Sequence, residues 1–133
     1  MDFPAALVGR LGVTDAAAKG LAGQVVGIIE DMVRELVSFG VASKIRDAVP
    51  ELQRWQASTP TLPPGALRYD ERDGWSNPGV PPEDVDFAST LARFRVPVER
   101  VPEVRGLALQ FLSTRLDAKT FATIIKGVPH LSR

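Results

Sequence analysis

The sequence predicts an all-α protein: two similar three-helix units, the product of an internal duplication, joined by an ordered proline-rich connector. Three observations carry this. Apolar residues recur at steps of three and four in both halves, and no run alternates convincingly over more than four or five residues. Six of the eleven prolines (60, 63, 64, 78, 81, 82) crowd into residues 57–82, where a long helix or a central strand cannot form. The two flanking parts also repeat. Ile45, Val49, Pro50 and Leu52 recur in constant register as Ile124, Val128, Pro129 and Leu131. The same register places Gly27 on Gly106, Met32 on Phe111 and Val37 on Leu116. Nearer the starts, Asp2-Phe3 and Leu7 match Asp86-Phe87 and Leu91 at a slightly larger spacing. The predicted organisation is unit one over residues 1–56, a connector over 57–82 and unit two over 83–133, packed as one compact domain.

Each element has local justification. Asp2 has the chemistry to cap a first helix along which Phe3, Leu7, Val8 and Leu11 share a face, and Gly12 suits its end. Thr14 is placed to cap a long second helix, with Asp15 in its first turn and Leu21, Val25, Ile28, Ile29, Met32, Val33 and Leu36 along one stripe. Asp117 precedes a third-helix pattern that ends near Gly127, and Ser38 occupies the matching position in unit one. Pro50 and Pro129 end the third helices. Pro102 fits the first turn of the second long helix, and Pro97 keeps the chain before it extended.

Composition excludes several functions. At 133 residues the chain can bury roughly two-thirds of its unfolded surface. Sixteen basic residues balance sixteen acidic ones, so there is no cationic excess with which to bind nucleic acid. The absence of cysteine removes disulfides, thiolate zinc sites and thiol nucleophiles, and fits a reducing, cytoplasmic setting. Residues 1–4 do not read as a secretory leader, and Glu30, Asp31, Arg34 and Glu35 interrupt the longest apolar stretch well short of a membrane span. One histidine, His130, near the end of the sequence, reads as an exposed residue and gives no transition-metal or triad constellation. The acidic cluster Asp70, Glu71 and Asp73 before Gly74 fails as a calcium loop, because Tyr69 and Val80 fall where carboxylates belong. Glu30, Asp31 and Glu35 beside Arg34 read as a solvated helix face. No cofactor, metal or catalytic residue is implied.

Two groups of residues stand out. Gly20, Gly23 and Gly27 each weaken a helix interior by up to about 1 kcal/mol relative to alanine, which points to close helix packing there. A phosphate loop is the other reading of these glycines, and it lacks the preceding strand, the lysine and the G-x-G-x-x-G spacing. Trp55, Tyr69 and Trp75 lie at or within the connector, where exposed aromatic surface is costly. They are expected to pack on this chain's helices or to anchor a contact with another subunit.

The run Leu7-Val8-Gly9-Arg10-Leu11-Gly12-Val13-Thr14, followed by an alanine-rich helix and later by Ala48-Val49-Pro50-Glu51-Leu52, resembles the VcgC/VcgE-like small bacterial helical domains of unknown function. The likeness covers residues 5–53. In the second half it keeps only Val128-Pro129-His130-Leu131, with Phe94-Arg95-Val96-Pro97 at the turn. It implies an all-helical domain and brings no activity with it. The expected function is that of a non-catalytic helical interaction protein whose partner is a protein, either a second copy or another subunit of a larger assembly. The alternative is a small-molecule or lipid binder with an apolar cleft between the two units.

Overall fold

The computed structural model describes residues 1–57 and 84–132; the connector beyond Ala57, with Tyr69 and Trp75, lies outside them. The described residues form seven α-helices and no strand: α1 Phe3–Leu11, α2 Asp15–Leu36, α3 Phe39–Ala48, α4 Leu52–Ala57, α5 Val85–Arg93, α6 Val101–Arg115 and α7 Ala118–Gly127. Short 3₁₀ turns at Val98–Arg100 and Pro129–Ser132 precede α6 and follow α7.

Capping chemistry sets the helix starts. The side chains of Asp2, Thr14, Ser38 and Asp117 each accept a hydrogen bond from the backbone N–H three residues on, at 3.1–3.3 Å. Each thereby satisfies one of the donors a helix N-terminus leaves over. Gly12 ends α1 in the left-handed conformation, at φ 70°. At the end of α5 the same conformation falls to Arg95, at φ 58°, and the Val96 N–H donates back to the Leu91 carbonyl at 2.9 Å. A side chain in that region is strained, so the six-residue closure and the burial of Val96 must hold the turn.

Matched bounds run through both halves. α2 ends at Leu36 and α6 at Arg115, and the register that pairs Ile45 with Ile124 pairs these two ends as well. α3 and α7 are both 10 residues long, and the same register pairs their starts, Phe39 and Ala118. Val49 and Val128 close those helices with nearly the same backbone angles, φ −123°, ψ 74° and φ −129°, ψ 71°. The halves differ after the prolines. Pro50 ends α3 as expected, but unit one then forms a fourth helix, α4, where three were predicted. At the matching place unit two makes only the 3₁₀ turn.

Packing crosses between the halves in a reciprocal way. α1 lies on α2 and also on α6, while α5 lies on α6 and also on α2. The core is correspondingly continuous: Phe3, Leu7, Val25, Ile29, Phe87, Leu91, Phe111 and Leu112 are all buried in it. α6 is central, burying Val104, Leu107, Ala108, Leu109, Phe111 and Leu112. Even Arg105 is buried on α6, where it donates to the carboxylate of Asp84 at the start of α5. None of the described helices is long and apolar enough to cross a membrane.

Candidate functional site

Two surfaces combine unusual chemistry with defined geometry. The first is the seam where α1, α2, α4 and α6 meet. Gly23 makes it possible, because a Cβ there would stand 2.7 Å from the Gln56 nitrogen and 2.8 Å from the Trp55 carbonyl carbon. α4 therefore crosses α2 backbone to backbone, and Trp55 turns inward with only 7 % of its surface exposed. Gly27 lies one turn further along, under the side-chain amide of Gln56, and Gly20 is buried on the same helix. The Trp55 ring is 5.7 Å from Phe111, which in turn stacks on Phe3 at 5.5 Å. Of the three aromatics singled out by sequence, Trp55 thus packs on this chain's own helices.

Above this cluster opens a cleft of ≈ 350 Å³ with Phe3, Trp55 and Phe111 at its base and charged residues along its rim. Arg115 crosses the rim from α6. It lies 4.9 Å from the Phe111 ring centre and grips both carboxylate oxygens of Glu51, at 3.0 and 2.9 Å. That hydrogen-bonded guanidinium holds Glu51 below its ordinary pKa, against an opposing effect of partial burial. The remaining carboxylates of the rim are engaged too: Asp2 caps α1, and Asp15 pairs with Lys19 at 3.1 Å. The cleft thus holds aromatic surface and ion pairs. The chain's one histidine does not line it.

The second surface is the corner between α2 and α3. Leu36 and Phe39 are 56 % and 70 % exposed there, although the helical spacing had put Leu36 on the apolar stripe. Beneath them the sequence reading of Glu30 needs correction. This acid is only 2 % exposed and belongs to no solvated face. It accepts from Arg34 at 2.7 Å and from Arg46 of α3 at 3.0 and 3.1 Å. Arg34 is held a second time by Asp31, at 2.8 Å, and its guanidinium lies 5.8 Å from the Phe39 ring centre. A buried acid therefore ties the two helices together and fixes the shelf beside the exposed aromatic. The signal was present in the sequence: Glu30 follows Val26 by one helical turn and precedes Val33 by another, and both are buried.

His130 also departs from its expected exposure. It is half-buried in the Pro129–Ser132 turn, and its Nε2 is shielded without a hydrogen-bond partner. Among the described residues no group of three or more His, Asp or Glu is arranged to hold a metal ion. No family model, curated protein or solved structure matches the chain.

Proposed function

We propose that the protein is a non-catalytic helical interaction module, built from two copies of one three-helix unit, that self-associates or joins a larger assembly through the α2–α3 corner. The observation that carries this reading is Phe39, a large aromatic 70 % exposed on a corner whose supporting groups are fixed. An aromatic held on a rigid element loses little entropy when a partner covers it, which is the usual character of an interface anchor. The engaged carboxylates of the cleft also favour a binding role over acid–base chemistry. Two features support the duplication. The ends of α2 and α6, like those of α3 and α7, fall in the register of the sequence repeat, and α1 and α5 each reach across to the other unit's long helix. The net charge of zero favours protein partners over polyanions.

Sedimentation over a concentration series tests the reading. The wild-type mass is expected to rise above the single-chain 14.4 kDa with concentration. Phe39→Asp should weaken association by about 2 kcal/mol, roughly thirtyfold. Aspartate in the first turn of α3 suits the helix dipole, so the fold itself should tolerate the change. A single-chain mass at every concentration would end self-association and leave only a different protein as partner. The second reading, a small-molecule or lipid binder, draws on the cleft between the halves. Its charged rim suits a polar ligand better than an acyl chain, and native mass spectrometry of the purified protein would reveal one that stays bound.

A further inference from the structure

We infer that the face by which the two halves pack is also an intermolecular surface, and that the partner it fits is a second copy of this chain with its halves exchanged. Unit one of one copy then sits on unit two of the other, and the reverse contact forms at the same time. The seam has what such an exchange requires. Its contacts come from opposite sides of the connector: Phe3 and Trp55 against Phe111, Val37 against Gly127, and Glu51 against Arg115, 64 residues away. Each can form between copies without altering either half.

Neither half is self-sufficient. Phe3 and Phe111 are fully buried, and each covers the other, so separated halves would expose a large apolar face. Either half therefore needs the other kind as a cover, whichever copy supplies it. Residues 58–83 lie between the described parts. A chain of that length can reach up to about 90 Å, enough to leave its own partner. The closed form is intramolecular and the exchanged one is not, so exchange gains on it as the protein concentration rises. This deepens the self-association proposed above by adding a second route to it, and the two routes fail separately.

The Glu51–Arg115 pair provides the test. Glu51→Arg alone sets two cations against each other within a chain, and Arg115→Glu alone sets two anions. In an exchanged heterodimer of the two variants both seams are acid–base pairs: the arginine introduced at position 51 meets the glutamate introduced at position 115 in one, and the native Glu51 and Arg115 meet in the other, whereas every homodimer keeps two like-charge seams. The full-length variants, mixed in denaturant and refolded together, are separable by mass in native mass spectrometry. The heterodimer is expected to exceed either homodimer by about tenfold, from the relieved like-charge contacts. The double variant Glu51→Arg/Arg115→Glu should behave as wild type, because its pair re-forms within one chain. If a single variant folds poorly alone, recovery of helical circular dichroism only in the mixture supports the exchange equally. Dimers in a statistical 1:2:1 ratio would assign dimerisation to another surface, such as the Phe39 corner, and overturn the exchange. Monomers alone at every concentration would overturn it as well.

Discussion

The two long helices carry glycines at matched positions, Gly27 on α2 and Gly106 on α6, and these meet opposite surroundings. On α2 the chain returns as α4 and lies across the helix, with Gln56 over Gly27 and the Trp55–Gln56 backbone over Gly23. On α6 a Cβ at Gly106 would meet nothing within 4 Å, and the residue is exposed, as is Pro102 at the position matching Gly23. The difference teaches that a helix glycine is structural only where another backbone comes within reach of it. The same residue in a matched position can be a requirement in one half and a weakness in the other.

The sharpest way to break this comparison is to fill the crowded position. Gly23→Ala puts a methyl group against backbone atoms at 2.7 and 2.8 Å, which cannot rotate away. α4 must lift, and Trp55 with it. The expected loss is about 2–3 kcal/mol in chemical denaturation, the upper part of the overpacking range. Trp55 fluorescence should shift to the red as its ring leaves the Phe111 contact. An unchanged denaturation midpoint would mean that α4 does not cross α2 at this point.

That crossing was only half legible in the sequence. The glycine spacing pointed to close packing, but nothing local said which element would arrive. α4 is only 6 residues long, follows a proline and has no capping signal, so its helical state comes from burial of Leu52 and Trp55. The four side-chain caps were readable because each rests on a bond within a single helical turn. Glu30 was misread because its charge was weighed above its place between Val26 and Val33 on the buried face; only its partner Arg46, 16 residues on, lay beyond any local rule. The exposure of Leu36 lay beyond local rules too: helical periodicity places a residue on a face, and only tertiary packing decides whether that face is covered to its end.

A smaller effect separates the two sides of the seam by charge. The Glu51–Arg115 pair joins the halves, with about a third of each side chain exposed, so its contribution should be about 1 kcal/mol. Because the Arg115 hydrogen bond lowers the folded-state pKa of Glu51 beneath its ordinary value of 4.5, this stability is complete at neutral pH. It begins to fall as the pH drops through the ordinary value and is lost below the depressed one, where both folded and unfolded chains are protonated. Urea titrations of wild type and Arg115→Ala should therefore differ near pH 7 and converge in acid, below the depressed pKa. A difference that persists there would assign the effect to the packing of Arg115 on Phe111 and its bond to the Ala48 carbonyl, not to its pairing with Glu51.

The smallest predicted effect is a gain. Gly106 lies within α6, between the buried Arg105 and Leu107, with its own Cα facing outward. A glycine in a helix interior loses more backbone freedom on folding than alanine does. Where the folded conformation is ordinary and the added methyl meets open space, alanine removes that loss and introduces no clash. Gly106→Ala should raise stability by about 0.5–1 kcal/mol, seen as a higher denaturant midpoint with an unchanged slope. The sign matters more than the size, because the same substitution at Gly23 is predicted to go the other way. A loss at Gly106 would mean that something covers this face of α6 as α4 covers α2, most simply a second copy of the chain. Repeating the titration at tenfold lower protein concentration would then distinguish the two: a contact between copies should weaken on dilution, and a contact within one chain should not.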